Sequence, residues 1–141
     1  MKQRILFING HLNAGGVEKA LIDVLRHMDY ERFDVDLLLL EGKGDYAPLL
    51  PRQVRIIERP LQNTYGSLVG ALLRCIRERD WFSLWMRLVF LSMKLFGQNA
   101  VRLARKPLLG NVHYDCAVGF RPGICTQVAA FAADADRRIT W

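Results

Sequence analysis

The first two apolar runs of this chain, and what lies between them, constrain its fold more than any other feature. Arg4-Ile5-Leu6-Phe7-Ile8 is short, continuous and apolar, the pattern of a parallel strand buried on both faces. Residues 9–16 form a glycine-rich turn. Val17, Ala20, Leu21, Val24, Leu25 and Met28 then recur at helical spacing and make one apolar face. Residues 33–40 alternate at first and become fully apolar, the mark of a second strand. Strand, turn, helix and strand in this order make a βαβ unit, with a right-handed crossover as the default.

After a loop at 42–51, Val54, Ile56 and Ile57 mark a third, shorter strand. Leu68, Val69, Leu72, Leu73 and Ile76 fit one face of a helix, and residues 81–96 are apolar nearly all round. Residues 115–120 read as a fourth strand, with His113 in the loop before it. Pro122 suits the first turn of a helix running to about Ala133. Residues 137–141 begin a fifth strand. The expected fold is α/β, a Rossmann-like three-layer domain with a mostly parallel sheet. Open sheets of this kind bind ligands at the carboxyl ends of their strands. This chain stops inside a strand where such a loop should follow, so a fragment of a longer protein is expected.

The apolar run at 5–8 is shorter than the ~7–15 residues of a secretory core, so it reads as a strand. Cys75, Cys116 and Cys125 are odd in number and have no C-x-x-C spacing. They point to neither a disulfide framework nor a zinc site, and to buried thiols in a cytoplasmic protein. No metal ligand set is expected.

Two familiar phosphate-binding fingerprints fail in the glycine turn. No G-x-G-x-x-G is present. Gly10 and Gly15 have P-loop separation, but Gly16-Val17 stands where Lys-Ser/Thr would be, and Lys19 comes too late. The same glycines serve a tight turn that binds nothing, and Glu18 serves as a first-turn acid that stabilises its helix.

The segments Ile5-Leu6-Phe7-Ile8, Asn13-Ala14-Gly15-Gly16-Val17-Glu18-Lys19-Ala20-Leu21 and Phe33-Asp34-Val35-Asp36-Leu37-Leu38-Leu39-Leu40 together resemble glycosyltransferase family four. In that family a first strand runs into a Gly-Gly-x-Glu-Arg/Lys turn. Residues 114–120 and 138–141 are similar to the family's later strands, while residues 64–106 are the least diagnostic. The resemblance implies a GT-B fold, two Rossmann-like domains facing across a cleft. It makes residues 1–141 the N-terminal, acceptor-side domain, without the C-terminal domain that binds the nucleotide-sugar and carries a pair of glutamates. It further implies transfer that retains anomeric configuration, with no GT-A-type metal and no cofactor beyond the nucleotide-sugar donor.

Carried onto this chain, Gly15 and Gly16 would face the donor diphosphate, and Glu18 matches a motif position of open role. With Asn13, Phe120 and Arg121 they are the candidate substrate-binding residues; catalytic residues are not assigned. The family commonly has a histidine just after the strand in which this chain ends, and neither His11 nor His113 stands there. The expected activity belongs to a full-length enzyme, this stretch alone being inactive. The setting implied is cell-surface polysaccharide synthesis, with a glycan or lipid-linked acceptor. Other readings are a non-catalytic membrane-surface module and another nucleotide-binding Rossmann-like domain.

The net charge of +6 is concentrated in one segment. Residues 66–106 hold Arg74, Arg77, Arg79, Arg87, Lys94, Arg102, Arg105 and Lys106 against only Glu78 and Asp80, while the remainder is balanced. Interleaved with these cations are Trp81, Phe82, Trp85, Met86, Phe90 and Phe96. Bulky apolar groups beside cations suit the surface of an anionic membrane. Arg74, Arg77, Arg79, Trp81, Trp85, Arg87 and Lys94 are therefore the candidate membrane contacts. The location expected is cytoplasmic, peripheral on the inner face of the membrane. The alternatives are packing on the sheet or against a second domain. Nucleic acid is not an expected partner, because the segment has few polar side chains to read it.

Overall fold

The computed structural model describes residues 1–60 and 68–141. Strand β1 (Gln3–Asn9) runs into helix α1 (Gly16–Arg26), then β2 (Phe33–Leu39) and β3 (Arg55–Glu58). Helices α2 (Leu68–Arg77), α3 (Trp81–Phe96) and α4 (Arg105–Leu109) follow, with a 3-10 segment at Gln98–Ala104 between the last two. Strand β4 (His113–Gly119), helix α5 (Ile124–Gln127) with a π turn at Val128–Ala132, and β5 (Asp134–Thr140) complete the chain. All strand pairs are parallel, in the order β3-β2-β1-β4-β5. This is a Rossmann-like three-layer α/β domain.

The apolar strands are apolar because both faces are covered. On one face Phe7, Val35, Leu37 and Leu39 pack with Leu21 and Leu25 of α1. On the other, Leu6, Ile8, Leu38 and Ala117 pack with Met86 and Val89 of α3, Val101, and Val128 beyond α5. Residues one apart on β1 and β2 thus enter opposite cores, as the strand period requires. α1 is rotated slightly from the expected stripe: Ile22 is buried and Val17 is exposed.

Several expected boundaries move. Pro122 lies in the turn before α5, which begins at Ile124 after Gly123 at φ 91°. β5 starts at Asp134, not at Arg137. His113 is not a loop residue but the first residue of β4. Its imidazole reaches Asp134 and Asp136 on β5, both at 3.3 Å, which extends the ladder by local polar pairing. Val54 is buried just ahead of β3.

At the amino end of the sheet, buried Asp36 on β2 receives Arg55 Nε at 2.8 Å, Arg55 NH2, and the Tyr114 hydroxyl at 2.8 Å. Burial first, then the hydrogen bond to Asp36, holds the Tyr114 phenol well above its ordinary pKa. β5 departs from the rest: residues 136–140 are all exposed, although parallel strands are normally covered on both faces.

Candidate functional site

The chain builds β1, then β2 and β3 on one side of it, and returns to place β4 and β5 on the other. The switch point therefore lies between the carboxyl ends of β1 and β4, where open α/β sheets form a crevice. Residues that follow those two ends meet there. Arg121 NH1 donates to His11 Nε2 at 2.9 Å. Glu41, just past β2, lies 3.7 Å from His11 Nε2 and 3.8 Å from Arg121 NH1. Glu18 Oε1 approaches His11 Nδ1 at 3.7 Å. The Asn13 amide also points at Nδ1, at 3.2 Å. A neutral imidazole has one acceptor nitrogen, so His11 accepts from Arg121 or from Asn13, not both.

The loops that carry these groups are tightly held. The fully buried Asn9 donates Nδ2 to the His11 carbonyl at 2.7 Å; its Oδ1 has no hydrogen-bond partner among the described residues. Thr126 Oγ1 donates to the Arg121 carbonyl at 3.2 Å. Gly44, at φ 72°, lets the loop after β2 lie against 12–13. A Cβ there would stand 2.4 Å from the Asn13 nitrogen, and Tyr46 N donates to the Leu12 carbonyl at 2.8 Å.

The two glycines of the turn have different reasons to be glycine, and neither is a positive φ. Gly15 is extended, at φ −170°, a conformation open to any residue. A Cβ on it would stand 2.3 Å from Glu18 Oε2, so the buried carboxylate folded back over the turn is what excludes a side chain. Gly16 opens α1, and a Cβ there would meet nothing within 4 Å. Gly15 at the N-cap has no side chain to accept from the first amides of α1, and no side-chain hydrogen bond to them is found among the described residues.

Of the candidate substrate-binding residues, Asn13 and Gly16 are exposed at the crevice, and Arg121 is half-buried beside them. Glu18 is only 5% exposed and faces His11 and Gly15. Phe120 is 2% exposed, packed on Phe7 and stacked beneath the exposed Trp141 ring at 5.0 Å and 12°. Trp141, not Phe120, thus offers the aromatic surface. His11 and Glu41 join the cluster without having been singled out as site residues. Their only sequence signal is position, each just past the end of a buried strand.

The candidate membrane residues divide. Arg74, Arg77, Arg79, Trp81 and Trp85 are exposed, and Arg79 links the helices at φ 54°. Arg87 is half-buried on α3, and the Lys94 side chain lies outside the described residues. Met86 is buried, and Phe82 and Phe90 are half-buried against the core. Cys75 and Cys125 are buried and Cys116 half-buried; burial pushes the Cys125 thiol up to about 11. Among the described residues no group of three or more His, Cys, Asp or Glu could hold a metal ion, and no helix is long and apolar enough to cross a membrane.

Comparison with family models, curated proteins and solved structures finds no match for the chain.

Proposed function

We propose that this chain is the acceptor-side Rossmann-like domain of a retaining GT-B glycosyltransferase, acting on a glycan or lipid-linked acceptor with a nucleotide-sugar donor. The observation that carries the reading is Gly16. It stands at the switch point, at the uncapped N-terminus of an eleven-residue helix, with open space where a side chain would be. Amides there suit a diphosphate oxygen, and glycine allows its close approach. Arg121 supplies a cation on the other side of the crevice. Glu18 and Glu41 oppose free anion binding, so the domain by itself should hold a nucleotide weakly. A second domain would then make most of the donor contacts. The exposed faces of β5 also suit a chain that packs against further structure.

Titration calorimetry of the chain with uridine and guanosine diphosphate sugars should give millimolar binding or none. A micromolar dissociation constant would instead identify a self-sufficient nucleotide-binding domain. In an enzyme containing this domain, Gly16→Val should lower transfer by on the order of 100-fold through misplacement of the diphosphate, with circular dichroism unchanged. Unaltered transfer would assign the glycine to turn geometry and remove the reading's main support.

A further inference from the structure

Helix α3 is apolar nearly all round but buries only one side. Met86 and Val89 pack into the core, while Trp81, Trp85, Leu88, Leu95 and Phe96 are exposed. Trp81, Phe96 and Leu95 are 65%, 77% and 71% accessible. Trp81, Trp85, Leu88 and Leu95 recur at helical spacing, so they form one outward stripe. On the neighbouring α2 the structure turns Val69, Leu73 and Ile76, three residues of one apolar face, outward as well. Two adjacent helices therefore present apolar stripes to solvent, an exposure that marks an interaction surface.

The charges beside these stripes are mainly positive, with Glu78 the exposed acid among them. Arg74, Arg77 and Arg79 are exposed on α2 and the link to α3. Asp80 is occupied as the N-cap of α3, its carboxylate accepting from Ser83 N at 3.0 Å and held below its usual pKa chiefly by its hydrogen bonds with Ser83. Next to the stripe is a groove of about 540 Å³ lined by Trp85, Arg102, Leu103, Arg105, Lys106 and Pro107. Trp85 Nε1 donates to the Leu103 carbonyl at 3.0 Å, which orients the indole along the groove. Arg105 is engaged by Asp134 at 2.5 Å. Arg102 and Lys106 are exposed at the groove.

We infer that the outer face of α2 and α3 docks on an anionic phospholipid bilayer. Its Trp81–Phe96 stripe enters the acyl boundary, and the groove beside Trp85 receives a headgroup phosphate through Arg102 and Lys106. A bilayer of this kind offers apolar depth and negative charge over the same surface. A second copy of the chain meets it with the same cations, which repel across a two-fold contact. Nucleic acid offers the charge but calls for a polar surface, not an apolar stripe.

The test is co-sedimentation of the chain with vesicles of phosphatidylglycerol and phosphatidylcholine, and with phosphatidylcholine alone, at low and high salt. Binding is expected to the anionic vesicles only and to weaken as salt rises. Arg74→Gln, Arg77→Gln and Arg79→Gln together should weaken it on the order of 100-fold. Trp81→Ser with Phe96→Ser should weaken it on the order of 10-fold or more; both side chains are exposed, so circular dichroism should not change. Arg102→Gln with Lys106→Gln tests the groove and should weaken binding on the order of 10-fold. Equal binding to neutral vesicles overturns the inference. So does concentration-dependent dimerisation abolished by Phe96→Ser without vesicle binding, which would assign the face to a second copy. Salt-sensitive binding to an oligonucleotide by a chain that ignores anionic vesicles would assign it to nucleic acid.

Discussion

Gly15 and Gly16 are neighbours of one type with opposite constraints, and single substitutions should separate them. Gly16 is helical and unobstructed, so Gly16→Ala should stabilise the domain by about 0.5–1 kcal/mol, by raising helix propensity and reducing the freedom of the unfolded chain. Gly15→Ala forces the Glu18 carboxylate from its place and should cost about 1 kcal/mol. Urea denaturation measures both. If the carboxylate is the cause, Gly15→Ala should be nearly neutral in a Glu18→Ala background, a coupling that a double-mutant cycle reads directly. An equal cost in both backgrounds would place the constraint in the backbone. Nothing in the local sequence distinguishes these two glycines. What separates them is the way the Glu18 side chain folds back.

At the scale of elements, a strongly perturbed titratable group lies away from the candidate site. Tyr114 on β4, Asp36 on β2 and Arg55 on β3 join three strands at the amino end of the sheet, opposite the switch point. The sequence signal is slight, one of two acids, Asp34 and Asp36, in the first half of β2. Tyr114→Phe removes one donor from a buried carboxylate and should cost about 1–2 kcal/mol. The phenol's pKa is raised by folding, so the folded state keeps a proton that the unfolded chain releases. Stability is therefore full below about pH 10, the ordinary phenol value, and falls as pH rises above it. The Tyr114→Phe protein should lose less stability over that alkaline range, measured by urea midpoints across pH. Tyr30, whose half-buried phenol is raised in the same direction by burial, should leave a residual slope in both proteins.

For the whole molecule, protection is expected to be uneven. β1 is paired on both sides and covered on both faces, while β5 is an edge strand with residues 136–140 exposed. Amide exchange should be slowest in β1 and β2 and fastest among the strands in β5, by a factor of 100 or more. Comparable protection in β5 would mean that it is covered in solution, by another copy or by another segment. Its amino end carries a separate reporter. Asp134 first, then Asp136, raises the His113 pKa by hydrogen bonding. Its contribution to stability is thus present below about pH 6.5 and is lost as pH rises through the higher folded value. Proton NMR should find His113 titrating above the ordinary histidine value, and Asp134→Asn should bring it down.

The strand–helix alternation, the parallel sheet and the place of the glycine turn are legible in the residue pattern, because strand and helix periods and continuous apolar runs are local properties. So is the location of the excess charge. Which groups share the crevice depends on the folded topology. His11 and Arg121 are 110 residues apart and meet because β4 returns beside β1. The structure also divided α3 into a buried side and an exposed one. A helix apolar nearly all round offers more than one apolar face to bury, so the neighbouring sheet took Met86 and Val89 and left Trp81, Trp85 and Leu95 to the solvent side.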